Sequence, residues 1–537
     1  MSADLVLING PVFTSVKSRP FVEAVAVAGG RIVHAGDRQG AEALIGPTTR
    51  VIDLEGRLAT AGYQDAHIHP GMSGMEMMRC YLTECANADE ALAEVARYAA
   101  DHPDEPWIRG SGWSQDWFPR GCPDRDLLDA IVADRPAFLQ NRDGHGAWAN
   151  SRALDLAGVD GHTPDPADGR IERRHDGSPQ GTLHEGAQRL VSRLLPAEGA
   201  DEYRVGLVKA QRYLLSLGIT GWQDAHVDQT AHEAYLAMAE SGALLARVGG
   251  ALWWDRLRGP EQLEELSERS SRSAGRYRPV AVKLMLDGVI ENFTAAMKQP
   301  YLDAAGAPTG GNGIEFIDPD TLGQVVTGID AAGLSCHFHA IGDRAVSNAL
   351  DAVEAARAAN GISPNRHHIA HIQVVDPVDI PRFASSDVTA NCQALWACDG
   401  GYQTDLTKPF IGSERSSWQY PFGSLHRSGA RLAMGSDWDV STPDVFSQID
   451  VAVTRSDVDL SHEPPLNPDE AIELEDALIA FTLGSAYVNH LDSETGSVES
   501  GKLADLVVLD RNPFEEPRPA GARVDTTIIE GEVVYQR

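Results

Sequence analysis

Val280-Ala281-Val282-Lys283-Leu284-Met285-Leu286-Asp287 is an apolar run with the length and composition of a buried strand. Side chains alternate along a strand, so Lys283, Met285 and Asp287 share one face while Val282, Leu284 and Leu286 occupy the other. Seven comparable runs flank it: one ending at His69, then Gly218 to His226, Ala246 to Trp254, Leu334 to His339, His368 to Gln373, Val388 to Leu395 and Arg431 to Asp437. Amphipathic helical stretches separate them. Strand alternating with helix implies parallel strands, and eight of them predict an α/β fold of the (β/α)8 TIM-barrel type, whose chemistry sits at the C-terminal strand ends.

Two regions depart from that rhythm. The first sixty residues are short β-like runs (Leu5 to Asn9, Ala24 to Ala28, Arg31 to Ala35, Arg50 to Leu54), and Gly496 to Leu509 and Thr526 to Tyr535 at the other end read the same way. We expect residues 1–60 and 491–537 to pair into one small β-sandwich around a barrel of residues 61–490. Within the barrel, the span from about 80 to 217 is far longer than an ordinary crossover and predicts an inserted lid or cap over the mouth.

Four short segments carry chemistry: Asp65-Ala66-His67-Ile68-His69-Pro70, Cys336-His337-Phe338-His339-Ala340-Ile341-Gly342-Asp343, His367-His368-Ile369-Ala370-His371 and Gly435-Ser436-Asp437-Trp438. Each lies at an expected strand end. Histidines two apart in a strand point to one side and can share an ion, as with His67 and His69 and again with His337 and His339. Recurrence of such ligands in order along the chain points to a metallohydrolase.

Composition narrows the alternatives. With 537 residues, 42% of them hydrophobic, the chain can bury a large core. A formal charge of -33, from 45 basic and 78 acidic residues, opposes binding to nucleic acid or to anionic lipid. No apolar stretch approaches the ~20 residues of a membrane span, and Met1-Ser2-Ala3-Asp4 lacks the features of a secretory signal. Six cysteines (Cys80, Cys85, Cys122, Cys336, Cys392, Cys398) form no Cys-x-x-Cys pair, so neither a disulfide scaffold nor a zinc ribbon is indicated and a reducing compartment, the cytoplasm, is expected.

Ala61-Gly62-Tyr63-Gln64-Asp65-Ala66-His67-Ile68-His69, His339-Ala340-Ile341-Gly342-Asp343-Arg344-Ala345-Val346, Gly435-Ser436-Asp437-Trp438 and Gly501-Lys502-Leu503-Ala504-Asp505-Leu506 resemble the amidohydrolase superfamily, specifically its YtcJ-like branch, which includes N-substituted formamide deformylases. Asn141 to Asn150 and Gly177 to Glu185 in the insertion also resemble that branch, and the likeness spans essentially the whole chain. The sequence departs from the superfamily at Tyr63-Gln64, where an apolar pair is more usual, and at Ala61, which replaces a proline.

The resemblance implies that His67 and His69 hold a first divalent metal and that Asp437 reaches the same ion. Neutral imidazoles and a carboxylate suit zinc and leave a position for water, whose pKa on zinc falls to about 7. Asp437 can then accept the water proton and return it to a leaving amine; Asp439, its local competitor, lacks the Gly-Ser context. A second ion would take His339 and His371, bridged to the first by Lys283. A buried amine is costly unless its charge is paired or removed, and an N-carboxylated Lys283, a modification frequent in the family, supplies an anionic bridge. The alternative is a Lys283–Asp287 pair and a single metal. His339 is favoured over His337 because Ala-Ile-Gly-Asp follows it, and His371 over His367 and His368 because it precedes Ile372-Gln373.

His145 could polarise the scissile carbonyl or hold an oxyanion, or be an ordinary loop histidine. Asp287, Asp343 and His337 are candidates for orienting the ligands. Trp113, Trp117, Trp148, Trp254, Trp396 and Trp438 fall near strand ends or in the insertion and favour an apolar or aromatic small-molecule substrate, part of the set being left to plain packing. The expected activity is metal-dependent hydrolysis of a carbon-nitrogen bond in a linear N-acyl or N-formyl amide, by hydroxide generated at the metal. The same machinery acting on a cyclic amide, lactone or carbamate ester is the alternative, and a metal-binding regulatory protein is the non-enzymatic one. A homo-oligomer is the base expectation.

Overall fold

Tyr63–Ile68, Ile219–Val227, Arg247–Trp253, Tyr277–Met285, Ser335–Ala340, His368–His371, Thr389–Cys392 and Leu432–Met434 hydrogen-bond side by side in chain order, every neighbouring pair parallel. The computed structural model describes residues 2–457 and 463–537. Residues 1 and 458–462, which fall in the N-terminal and barrel parts of the expected division, lie outside the described residues.

The eight-stranded sheet curls into a nearly closed barrel. Its first and last strands are tied just past their ends, where the Asp437 N–H donates to the His67 carbonyl (2.8 Å) and the His69 N–H to the Trp438 carbonyl (3.1 Å). Alternation along Tyr277–Met285 puts Val282 and Leu284 in the main apolar core, with Leu322, Val325 and Ile329 of the helix Pro319–Ala331, while Lys283 and Met285 line the central cleft. Asp228 and Asp318 start the helices Gln229–Glu240 and Pro319–Ala331 by accepting the Ala231 and Thr321 N–H groups, donors that no helical carbonyl can reach. Among the described residues, no helix is long and apolar enough to cross a membrane.

Both chain ends form sheets beside the barrel. Leu5–Ile8, Ala24–Ala28, Arg31–Gly36 and Arg50–Asp53 make a four-stranded sheet. Val12–Phe13, Phe21–Val22 and Ala59–Ala61 join Leu506–Leu509, Val524–Ile529 and Glu532–Gln536 in a six-stranded one. Leu7, Val25 and Val27 from the first sheet share an apolar cluster with Val12, Leu506, Val508 and Ile528 from the second. Strands of both termini sit together in this six-stranded sheet, and the four-stranded one meets the C-terminal segment through the Arg31–Leu503 bridge.

Arg247, at the start of the third barrel strand, ties the barrel to that sheet. Its Nε donates to Asp505 Oδ2 (2.9 Å) and its Nη2 to Glu530 Oε1 (2.6 Å), and both Arg247 and Asp505 are buried. Removing one partner of a buried ion pair strands the other charge, so Arg247→Ala is expected to lower unfolding free energy by about 3 kcal/mol. Urea denaturation measures this, and a loss below ~1 kcal/mol would make the tie dispensable.

Between the first and second barrel strands the chain builds a separate mixed sheet, in the order Gly169–Arg173, Pro179–Glu185, Gly146–Ala149, Ala137–Asn141, Ile108–Trp113, Cys80–Tyr81. Two apolar clusters belong to it, one centred on Trp113, Phe118, Leu139 and Trp148 and the other on Phe138, Leu154, Ile171 and Leu183.

Candidate metal centre

His67, the last inward-facing residue of the first barrel strand, and His69, just beyond its end, meet Asp437 from the loop after the last strand. Asp437 Oδ1 lies 3.3 Å from His67 Nε2 and 3.0 Å from His69 Nε2, and Oδ2 lies 3.9 Å from His371 Nδ1. The His371 ring centre is 4.7 Å from that of His67 and 4.5 Å from that of His339. Burial and the neighbouring Lys283 hold His67 well below the usual imidazole range, and burial with the nearby His145 does the same for His339. Burial raises the Asp437 carboxyl, and His67, His69 and His371 lower it where they present N–H or charge to it, the lowering prevailing. Neutral imidazoles around one carboxylate are the protonation states that metal binding requires.

These donors fit a divalent cation. Asp437 Oδ1 and His371 Nδ1, which face this cluster, are buried without a hydrogen-bond partner among the described residues. Each such atom costs about 1–3 kcal/mol if nothing satisfies it. His371 and Asp437 also hold left-handed backbone, with φ of 77° and 52°, a conformation that costs non-glycine residues about 1–3 kcal/mol and clusters at functional sites.

A hydrogen-bond relay sets the His67 tautomer. Gln223 donates its amide to the Val488 carbonyl (3.1 Å), leaving Oε1 to accept from His337 Nδ1 at 2.6 Å. His337 Nε2 must then accept from His67 Nδ1, 2.7 Å away. The His67 proton therefore sits on Nδ1, and the bare Nε2 faces Asp437. His337 lies behind His67 rather than in the cleft.

Lys283 lines the cleft, is buried and makes no ion pair among the described residues. Burial, partly offset by Asp437, pushes its ammonium down to about 7. The pairing with Asp287 is absent, because the Asp287 carboxylate accepts the backbone N–H groups of Ala296, Ile341 and Gly342 at 2.9–3.0 Å. Asp287 Oδ1 also stands 3.2 Å from His339 Nδ1, behind that ring.

His145, on the turn between Ala137–Asn141 and Gly146–Ala149, reaches the same cleft from the insertion, 5.3 Å from the His339 ring. Its Nδ1 lies 3.0 Å from both Glu185 oxygens. Burial works against its charge, but Glu185 and Asp143 outweigh it and push the imidazole up to about 9. Thr294 Oγ1 donates to Glu185 (2.8 Å) and steadies the carboxylate. The cleft encloses about 430 Å³, with Met72, Trp253, Met285, Trp396 and Val440 among its apolar walls.

Several expected site residues lie elsewhere. Trp113 and Trp148 are fully buried in the insertion, their indole N–H groups donating to the Leu139 and Asp124 carbonyls, so they pack rather than contact a substrate. Asp343 accepts the Lys298 N–H (2.9 Å) instead of orienting a ligand. His367, which the sequence ranks below His371 as a ligand, is taken by Asp330, 3.1 Å from its Nε2. Trp254 is core, and its neighbour Trp253 lines the cleft in its place. Trp396 lies in the cleft, stacked 5.3 Å from His371. Glu185 and Gln223 were not singled out as site residues, since nothing local marks a partner supplied from a distant strand. Trp396→Ala is expected to raise KM about tenfold through lost apolar contact, whereas Trp148→Ala should cost ~3–5 kcal/mol of stability and leave KM unchanged. Kinetics and denaturation of both variants check this.

The amidohydrolase family matches residues 50–535. Over nearly its full length the chain is 32% identical to Protein LONG AFTER FAR-RED 3 of Arabidopsis thaliana, covering 99% of this chain and 92% of that protein. It is 28% identical to the putative amidohydrolase YtcJ of Bacillus subtilis, over 98% and 99% of the two chains. It is 27% identical to the N-substituted formamide deformylase of Arthrobacter pascens, over 99% and 98%. The crystal structure of an uncharacterized metal-dependent hydrolase from Pyrococcus furiosus is similar with a TM-score of 0.72 at 27% identity, covering 95% of this chain and 100% of that one. This chain belongs to the amidohydrolase family, in its YtcJ-like branch.

Proposed function

We propose that this chain is a metal-dependent hydrolase that cleaves the carbon-nitrogen bond of a linear N-acyl or N-formyl amide, with Asp437 as general base and then general acid. The observation that carries it is the convergence of His67, His69, His339, His371, Lys283 and Asp437 on one cleft, with unpartnered buried donor atoms. His67, His69 and Asp437 would hold one ion; His339 and His371 would hold a second, with an N-carboxylated Lys283 between them, and zinc suits this donor set. A divalent ion bound there polarises a carbonyl and makes water acidic near neutral pH.

The chain's own groups supply the rest. Asp437, kept deprotonated by its imidazole neighbours, accepts the proton of the attacking water and returns it to the departing amine nitrogen. His145, held by Glu185, offers its other ring nitrogen to the carbonyl oxygen as negative charge develops there. Trp253, Trp396 and Met285 suit an apolar or aromatic substituent. The insertion supplies His145, Asn141 and Gln188 to the cleft wall and acts as its lid. The activity named for the Arthrobacter pascens relative is of this reaction class. The free state of all six cysteines favours a cytoplasmic setting.

The test is primary-amine release from N-formyl, N-acetyl and N-aroyl amines, beside cyclic imides and lactones, using metal-reconstituted protein. Amine release is the expected result, and the ranking of acyl groups describes the cleft. Turnover of a ring or ester with silence on every linear amide would replace the amide reading with the cyclic one.

A further inference from the structure

We propose that the insertion carries a second metal site, separate from the cleft, in which Cys122, Glu172 and His184 bind a thiophilic divalent cation such as zinc in a structural role. Cys122 Sγ lies 3.7 Å from His184 Nε2, and Glu172 Oε1 lies 3.2 Å from the same nitrogen. All three donor atoms fall within 4.8 Å of one another. Tetrahedral zinc with its sulfur ligand at about 2.3 Å and its nitrogen and oxygen ligands at about 2.0 Å has S···N and N···O edges of about 3.6 and 3.3 Å. The observed spacings match those edges.

The local architecture holds the donors in place. Gln180, Thr182 and His184 share one face of the strand Pro179–Glu185. Gln180 Nε2 donates to the Cys122 carbonyl (2.8 Å) and Thr182 Oγ1 to the Pro123 carbonyl (2.9 Å), which fixes the cysteine loop opposite His184. Arg170 Nε and Nη2 hold Glu172 Oε1 at 2.8 and 2.6 Å. Cys122 and His184 are buried, at 8% and 1% exposure.

A nucleophile–base–acid triad is excluded by the geometry. Such a triad uses opposite nitrogens of the imidazole, whereas here thiol and carboxylate approach the same one. Burial also pushes the Cys122 thiol up to about 12, so without an ion it reacts slowly and is not an activated nucleophile. The thiol now contacts the Arg120 carbonyl (3.2 Å); on metal binding its proton passes to solvent as the sulfur becomes the ligand. His184 immediately precedes Glu185, which anchors His145, so an ion here stiffens the strand end that supports the cleft wall.

Cobalt titration of the full-length protein tests the site, because no cysteine lines the cleft and a thiolate-to-cobalt charge-transfer band reports sulfur ligation alone. The band should appear, vanish in Cys122→Ser and persist in Cys85→Ser and Asp437→Asn. Zinc should also slow alkylation of Cys122 in the unaltered protein by at least tenfold, read by mass spectrometry, which holds even where Cys122→Ser fails to fold. Absence of the band, its survival in Cys122→Ser, or unchanged alkylation overturns the proposal.

Discussion

Asp437→Asn is expected to lower kcat by ~10²-fold or more while leaving the fold intact. The substitution keeps the shape of the side chain and removes its charge and its capacity to accept a proton. The backbone tie from the Asp437 N–H to the His67 carbonyl remains, so the first and last barrel strands stay joined and circular dichroism and Tm should change little. Asp437 also faces His67 and His69 and is proposed to share their ion, so activity must be expressed per bound metal ion. Near-normal turnover in the metal-loaded variant would remove Asp437 from proton transfer.

Lys283→Ala is expected to cost both metal and activity, with partial recovery on adding short-chain carboxylic acids that can enter the vacated space. Lys283 is buried at the cleft with no ion pair among the described residues, and the one acid expected to neutralise it, Asp287, is saturated by three backbone N–H groups. Burial already pushes the amine down to about 7, and a deprotonated amine is the form that takes up carbon dioxide. Elemental analysis decides the matter: metal content equal to that of the unaltered protein would rule out a bridging role for Lys283.

The eight strands were legible because each is a short apolar run, and because parallel strands need a long crossover that the intervening helices supply. His67 and His69 were legible as one pair for the same local reason, the two-residue period of an extended chain. That period cannot rank His337 against His339, which face the same way. Tertiary structure separates them: Gln223 captures His337 from a strand over a hundred residues away, while His339 remains exposed to the cleft. The tryptophans divide as a mixed set, Trp396 lining the cleft and Trp113 and Trp148 packing, because an indole at a strand end looks alike in sequence whether it packs or lines a cavity. Trp148 is buried by Phe118 and Trp113 within the insertion's own sheet, and Trp396 stacks on His371.

By itself the sequence determined the strand–helix alternation and the residue types offered at the strand ends, because periodicity and ligand chemistry are local properties. Only the tertiary structure decided which imidazole nitrogen of His67 is free, that Glu185 holds His145 and raises its imidazole, and that Asp287 is unavailable to Lys283. Each of these depends on a partner brought from another strand or from the insertion, and a hydrogen bond acts over about 3 Å of space whatever the separation along the chain.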